Sequence, residues 1–259
     1  MKRKKEIVLL SFLIFLLITI NYNFADNAII EFLEEKETGV AERIIDGDTA
    51  VINGNSTRFL GINTPEKGEK YYNEAKNFLS NLILNQTIEL EYGKDKYDKY
   101  KRILAFIFLN EKNVNVEIVR NGFANVYILE DKKYENELRT AWEECILREK
   151  NLCEKSANKC ANCIELQELD FKEQKIVFYN RCSYDCDLTS WNIKDEGRKK
   201  FIFENFVLRK NRKIEIIAGN GTGNDDVLYW KNEDYVWTAT GDTLFLRDSD
   251  EKLVLWEEF

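Results

Sequence analysis

The sequence predicts an α+β chain of two domains, a small β-barrel with packed helices followed by an all-β sandwich. Three observations support this fold class: a tight-turn signal near residue 53, alternating strand and helix patterns over residues 40–150, and strand-like runs alone over residues 163–259. The 259 residues give room for two domains of ordinary size.

The barrel begins with a predicted hairpin. Two short β-type runs, residues 49–52 and 57–62, flank the dipeptide Asn53-Gly54. Asn-Gly between such runs is the strongest short-range hairpin signal. The two runs therefore provide the first pair of antiparallel strands.

The rest of the first half alternates between helical and strand patterns. Apolar residues recur at helical spacing over residues 68–84 and 134–150. A short helix over residues 114–121 is closed by Gly122, the residue type favoured just after a helix end. Two further runs have strand character: residues 88–92 and 103–109. This order fits a five-stranded barrel of the OB type with helices packed around it.

The chain changes character after residue 150. A small polar linker, residues 151–162, leads into a region without a convincing helical pattern. Short alternating runs separated by turn residues follow, at 164–169, 175–180, 201–203, 213–217, 227–230, 243–247 and 253–256. Their spacing is typical of a β-sandwich.

Composition limits the chemistry. The chain has no histidine, which excludes histidine-dependent hydrolase mechanisms and leaves a carboxylate, lysine or tyrosine as the general base. The net charge of −8 means that any contact with nucleic acid is local and weakened by salt.

Polar groups that do not suit an ordinary barrel wall surround the predicted hairpin. They are Asp46, Asp48, Arg58, Asn63, Thr64 and Glu66, followed by the run Asp98-Lys99-Tyr100-Lys101-Arg102 just before a strand. Carboxylates and amide oxygens suit a hard cation, and guanidinium groups bind phosphate with two parallel hydrogen bonds. The pattern indicates a site for a cation and a phosphodiester.

These motifs resemble the thermonuclease (staphylococcal nuclease-like) family over residues 40–150. The matching runs, in order and spacing, are Ile45-Asp46-Gly47-Asp48-Thr49, Arg58, Asn63-Thr64-Pro65-Glu66 and Asp98-Lys99-Tyr100-Lys101-Arg102. The resemblance implies an OB-fold nuclease that depends on Ca²⁺ and hydrolyses the phosphodiester bonds of DNA, with RNA as an open second substrate.

The resemblance also implies the metal ligands. Asp48 supplies a carboxylate, Thr64 its backbone carbonyl, and Asn63 stands where the family usually has aspartate. Asn63 offers an oxygen without a charge, so we expect weaker Ca²⁺ binding. Asp46 would lie behind these ligands or help directly; the simpler alternative is that Asp46-Gly47-Asp48 is only a turn.

The catalytic residues follow from the same motifs. Arg58 and Arg102 match the two phosphate-binding arginines, and Glu66 matches the carboxylate that orients or deprotonates the attacking water. Lys99 and Tyr100 would steer and stack the substrate strand. The alternatives are a surface ion pair for an arginine, a helix-start carboxylate for Glu66, and a solvated loop for Lys99 and Tyr100.

The second half, residues 163–259, resembles the lamin-tail domain, an immunoglobulin-like β-sandwich. The matching residues are Val177-Phe178-Tyr179-Asn180, Asp187-Leu188-Thr189-Ser190-Trp191, Lys194-Asp195, Phe201-Ile202-Phe203, Val236-Trp237 and Gly241-Asp242-Thr243-Leu244-Phe245-Leu246-Arg247-Asp248. The resemblance implies interaction with a surface or polymer partner rather than chemistry. The basic runs 198–200 and 209–213 would bind an anionic polymer or form solvated loops.

The six cysteines are 145, 153, 160, 163, 182 and 186. The spacing of the last four also fits a zinc site. We favour disulfides because the N-terminal sequence predicts export, which places the chain in an oxidising environment.

The N-terminus predicts export. Lys2-Arg3-Lys4-Lys5 precedes a fourteen-residue apolar run, residues 7–20, and acidic residues follow it. This is the pattern of a signal peptide, and the positive side stays cytoplasmic. No good cleavage site follows, so residues 1–24 are a cleaved signal or a membrane anchor, and residues 25–39 a tether.

Together these features predict an exported, Ca²⁺-dependent nuclease with a C-terminal interaction or targeting domain. Asn63 keeps a rival hypothesis open, a catalytically weak nucleic-acid-binding or cell-surface interaction protein. A second rival is a structural protein in which the lamin-tail-like half is the functional one.

Overall fold

The computed structural model describes residues 36–128, 131–238 and 241–259. Within those ranges, no helix has the length and apolar character needed to cross a membrane. The predicted signal or anchor, residues 1–24, lies outside the described residues, as does most of the predicted tether. The last residues of that tether, from Lys36 onward, instead begin the first strand.

Among the described residues the first domain has eight strands: β1 (Lys36–Ile44), β2 (Thr49–Ile52), β3 (Asn55–Phe59), β4 (Ile62–Asn63), β5 (Thr87–Tyr97), β6 (Ile103–Leu109), β7 (Lys112–Asn113) and β8 (Asn125–Val126). The sheet order is β3-β2-β1-β5-β6-β7, and parallel pairing of β3 with β6 closes the barrel. The barrel prediction is confirmed.

The predicted hairpin lies between β2 and β3. Asn53 and Gly54 both have positive φ angles, 46° and 76°, and Ile52 pairs with Asn55 across the turn. The predicted run 57–62 does not form one strand, because Gly61 turns the chain with a φ of 73°. A side chain at Gly61 would also meet Leu138 at 2.5 Å, so glycine suits this position. The bend at Gly61 separates β3 from the short β4, which pairs with β8.

In the part of the chain that the structure describes, three helices pack on the barrel: α1 (Tyr72–Ile83), α2 (Val114–Arg120) and α3 (Glu135–Arg148). Gly122 follows α2 with a φ of 70°, as predicted, and a Cβ there would lie 2.2 Å from the carbonyl oxygen of Lys150. The inner faces of barrel and helices form one apolar core that includes Phe59, Leu79 and Phe106.

Over residues 163–238 and 241–259, the second domain has ten strands: β9 (Ile164–Asp170), β10 (Lys175–Asn180), β11 (Cys186–Asp187), β12 (Asn192–Lys194), β13 (Lys200–Ile202), β14 (Val207–Leu208), β15 (Lys213–Ala218), β16 (Val227–Trp230), β17 (Thr243–Arg247) and β18 (Leu253–Glu258). Two four-stranded sheets, β16-β15-β10-β9 and β13-β12-β17-β18, enclose a core around Phe178, Trp191 and Trp237. The sandwich prediction is confirmed.

All six cysteines form disulfides, in agreement with the favoured prediction. Cys145–Cys153 ties the end of α3 to the linker, Cys160–Cys186 joins the linker to the first residue of β11, and Cys163–Cys182 joins the start of the sandwich to the loop before β11.

The two domains share an apolar interface. Trp142 on α3 packs edge-on against Phe245 and Trp256 of the sandwich, with ring centroids 5.5 and 6.0 Å apart. Beside them, the buried Arg247 donates to the backbone oxygen of Leu152 at 2.6 Å. These contacts hold the sandwich against the barrel in a defined orientation.

Candidate active site at the domain boundary

Asp48 is the centre of the candidate site. It lies immediately before β2 and is 4% exposed. Its Oδ2 accepts from the backbone N and the Oγ1 of Thr64, at 2.9 and 3.0 Å, and its Oδ1 accepts from Thr49 at 3.0 Å. The carboxylate therefore joins the start of the hairpin to the segment after β4.

Arg58 completes this network. On β3 it pairs with Thr49 of β2, and its NH1 lies 3.2 Å from Asp48 Oδ2. The same guanidinium donates to the backbone oxygens of Phe59 and Ile62, at 2.7 and 2.8 Å, and to Asn63 Oδ1 at 3.2 Å. Arg58 is thus buried and rigidly held by the chain around it.

A second carboxylate, Asp46, lies next to Asp48. Its Oδ1 accepts from the backbone N of Asp48 at 3.1 Å. Burial and the negative charge of Asp48 raise the pKa of Asp46. Because the two carboxylates repel each other, an added cation would favour the ionised form of both. This oxygen-rich set, with Asn63 and Thr64 beside it, fits a hard divalent cation.

Asn63 connects the barrel to the sandwich. Its Nδ2 donates to the backbone oxygens of Gly197 and Glu196, at 2.5 and 3.4 Å. Both acceptors lie in the loop between β12 and β13, residues 195–199, which we call the β12–β13 loop. The predicted metal ligand therefore faces Arg58 with its oxygen and the second domain with its nitrogen.

Glu66 is also held by the second domain. Arg198 Nε lies 2.8 Å from Glu66 Oε1, and both side chains remain about half exposed. Three residues later in the chain, Glu69 pairs with Lys194 at 3.1 Å. Its carboxylate also accepts from the backbone N of Glu66 at 2.8 Å. Burial opposes ionisation of Glu69, but the attraction of Lys194 and these hydrogen bonds lower its pKa.

Arg102 lies on the turn that immediately precedes β6. Its Nε lies 2.7 Å from Asp98 Oδ2, and Asp98 Oδ1 accepts from the backbone N of Tyr100 and of Arg102. The next residue, Ile103, pairs with Thr57, the neighbour of Arg58 on β3. The turn therefore places Arg102 beside the strand that carries Arg58.

Lys99 and Tyr100 lie on the same turn and face outward. Tyr100 is 69% exposed, and the Lys99 ammonium lies 5.1 Å from the centre of its ring. An exposed aromatic ring beside a cation is a suitable surface for a nucleic-acid strand. Neither residue takes part in the Asp48 network described above.

The β12–β13 loop and Lys194, the strand residue before it, were not predicted from the sequence to contribute to the site. Their only signals were the run Lys194-Asp195, matched as part of the lamin-tail pattern, and the basic run 198–200. Tyr127 is half-buried near this loop. Burial and the negative charges of Glu196 and Asp195 raise the pKa of Tyr127, while the positive charges of Arg58 and Arg198 oppose that shift. The loop itself carries two buried acids: burial raises the pKa of Asp195 to about 7 and that of Glu196 to about 8.

Comparison with known proteins accounts for both halves of the chain. Residues 56–155 match the family model described as Staphylococcal nuclease homologue, and residues 158–258 match the Lamin Tail Domain. The thermonuclease of Staphylococcus intermedius is 30% identical over 130 residues, which cover 46% of this chain and 77% of that protein. The chain belongs to the thermonuclease family.

Two further relatives match a similar share of this chain. The thermonuclease of Staphylococcus hyicus is 29% identical over 121 residues, 42% of this chain and 72% of that protein. Endonuclease YncB of Bacillus subtilis is 32% identical over 116 residues, 40% of this chain and 55% of that protein. Family membership confirms the predicted enzyme class, a nuclease that hydrolyses phosphodiester bonds of nucleic acid, followed by a Lamin Tail Domain.

Proposed function

We propose that the chain is an exported, Ca²⁺-dependent nuclease that hydrolyses DNA, with RNA as a further candidate substrate. The observation that supports the proposal is the buried network in which Asp48 accepts from Thr64 and pairs with Arg58, while the same guanidinium donates to the amide oxygen of Asn63. Oxygen ligands next to an arginine and a carboxylate base are the parts that metal-assisted phosphodiester hydrolysis requires.

Asp48, Asn63 Oδ1 and the Thr64 carbonyl would hold the ion. Thr64 fixes the orientation of the Asp48 carboxylate, and Arg58 fixes Asn63 Oδ1 toward the same side. When bound, Ca²⁺ supplies positive charge that offsets the negative charge gathering on the phosphodiester. Asn63 is neutral, so the ion is held by less charge than two aspartates would provide.

The arginines would bind the scissile phosphate. Asp98 fixes Arg102 at its Nε, which orients the planar guanidinium for contact with phosphate oxygens. Arg58 holds Asp48 and Asn63 in place and shares its positive charge with the phosphate. Both act by stabilising charge that develops in the transition state.

Glu66 would act on the attacking water. The Glu66 carboxylate accepts a proton from water, the water oxygen forms a bond to phosphorus, and the bond from phosphorus to the leaving oxygen breaks. Its side chain is 47% exposed, so water reaches it. The absence of histidine from the sequence leaves this carboxylate as the best-placed base.

The direct test is cleavage of single-stranded DNA by the purified full chain, with Ca²⁺ and with a chelator. Asp48→Ala should abolish the Ca²⁺-dependent rate, because it removes the strongest ligand, while the control Asp225→Ala, at a side chain that is 89% exposed, should leave it unchanged. Cleavage that is absent at every Ca²⁺ concentration would contradict the proposal. It would support the rival, a catalytically weak nucleic-acid-binding protein, which the neutral Asn63 and the fully bonded Arg58 favour.

Export and a targeting role for the second domain are part of the proposal. The basic-then-apolar N-terminus supports export, and three disulfides suit an oxidising environment. The basic run 209–213 is partly neutralised, since Arg209 and Arg212 pair with Asp225 and Asp226. A reporter fused after Phe259 that works only in the cytoplasm would contradict export.

A further inference from the structure

The segment that carries the predicted catalytic carboxylate lacks regular secondary structure. Residues 64–71, between β4 and α1, form neither helix nor strand. Few hydrogen bonds hold the segment to itself. The backbone N of Glu69 donates to the backbone oxygen of Glu66 at 2.9 Å, and the backbone N of Glu66 donates to the Glu69 carboxylate at 2.8 Å. Segments of this kind open easily unless something outside them holds them.

The second domain supplies that external support at three points. Two backbone oxygens of the β12–β13 loop accept from the amide nitrogen of Asn63, the residue just before the segment. Lys194 pairs with Glu69, and Arg198 pairs with Glu66 itself. The packing of Trp142 on Phe245 fixes the two domains against each other, so the residues of the second domain that contact the segment are themselves held in place.

We propose that Arg198 is a positioning residue of the nuclease site, and that the lamin-tail domain is a structural part of that site rather than only a targeting module. Arg198 holds the Glu66 carboxylate through an ion pair between its Nε and Glu66 Oε1, which lie 2.8 Å apart. This inference rests on the nuclease activity proposed above. Misplacement of a catalytic group by about 1 Å costs up to two orders of magnitude in rate, so a small restraint matters.

The chain offers a matched control. Arg181, also in the second domain, pairs through Nε with Glu165 Oε1 at 3.0 Å, with side-chain exposures of 64% and 40%. Arg198 and Glu66 are 60% and 47% exposed at 2.8 Å. The two ion pairs are alike in geometry and exposure, but only one involves the candidate site.

The experiment measures cleavage kinetics of the full chain carrying Arg198→Ala, Arg198→Lys or Arg181→Ala. Arg198→Ala should lower kcat by roughly three- to tenfold with KM nearly unchanged. Arg198→Lys, which keeps a positive charge near Glu66, should recover part of the loss, and Arg181→Ala should match the parent. In a Glu66→Gln background Arg198→Ala should have no further effect, because Arg198 acts through Glu66.

A second measurement does not depend on catalysis. Hydrogen exchange of the peptide spanning residues 64–71 should become roughly three- to tenfold faster in Arg198→Ala and stay unchanged in Arg181→Ala. A parent chain without cleavage would reject the proposed function, and the exchange result would still decide whether Arg198 holds the segment. Unchanged exchange and kcat in Arg198→Ala would overturn the inference. A higher kcat would instead show an inhibitory contact, and an undiminished loss in the Glu66→Gln background would assign Arg198 to the substrate.

Discussion

The amide nitrogen of Asn63 and the backbone oxygen of Gly197 lie 2.5 Å apart, although 134 positions separate them in the chain. The thermonuclease resemblance places a carboxylate at position 63, and a carboxylate cannot donate a hydrogen bond. In this chain the amide donates to two backbone oxygens of the second domain and still presents an oxygen to Arg58. The substitution thus has a structural reason, which is contact between the domains.

Asn63→Asp should have two opposing effects. Without Ca²⁺ the new carboxylate faces the oxygens of Glu196 and Gly197, so we expect a loss of about 1–3 kcal/mol in the free energy of unfolding. With Ca²⁺ the added charge should lower the Ca²⁺ midpoint for cleavage by about five- to thirtyfold. Thermal unfolding and Ca²⁺ titration test both effects, with the exposed Asn55→Asp as control. An unchanged Ca²⁺ midpoint would show that position 63 is not a ligand.

Arg58→Lys should impair both stability and activity. A lysine ammonium cannot donate at once to Phe59, Ile62 and Asn63 while it faces Asp48. We expect a loss of about 2–4 kcal/mol in the free energy of unfolding, since buried acceptors lose their partner. Urea unfolding measures the first effect and cleavage rate the second. Parent-like values for both would mean that the bonds of Arg58 contribute little.

The buried acids of the β12–β13 loop predict a pH dependence of stability. The pKa values of Asp195 and Glu196 rise from 3.8 and 4.5 to about 7 and about 8 in the folded chain, chiefly through burial. A raised pKa for an acid means that its contribution to stability is complete below the unfolded value and is lost as pH rises through the folded one. Stability should therefore fall between about pH 4 and pH 8.

The measurement is Tm at pH 5 and pH 8.5. The parent should lose roughly 5 °C or more over this range. Asp195→Asn combined with Glu196→Gln should remove most of the loss, whereas Asp225→Asn, at an exposed side chain, should not. Equal pH dependence in the parent and the double variant would show that these carboxyls are not responsible.

The cysteines should be oxidised in the mature protein. Intact mass after alkylation without reductant should show no free thiol. Cys153→Ser, which opens the link to Cys145 across a separation of 8 residues, should cost about 2–3 kcal/mol in the free energy of unfolding. Cys160, Cys182 and Cys186 have sulfur atoms within 4.8 Å of one another, so full alkylation together with one bound zinc would be the contrary result.

Much of the fold follows from local sequence signals. Asn53-Gly54 sets the hairpin because only residues that accept positive φ form so tight a turn, and Gly122 ends α2 for the same reason. Five strands, β2, β6, β10, β16 and β17, lie at the predicted residues. By contrast, the short strands β4, β8, β11, β12 and β14 were not predicted, because two or three residues carry no readable period and are fixed by distant partners.

In the candidate site, too, some features follow from the sequence and others from the tertiary structure. By itself the sequence determined the two-domain order and, through the motif residues Asp48, Arg58 and Glu66, the chemistry proposed for the site. Only the tertiary structure decided that Asn63 donates to the second domain and that Glu66 pairs with Arg198. Neighbouring residues select turns and strands through their own backbone preferences. Contacts between distant positions arise only when a shared interface, here the packing of Trp142 on Phe245, brings two folded surfaces together.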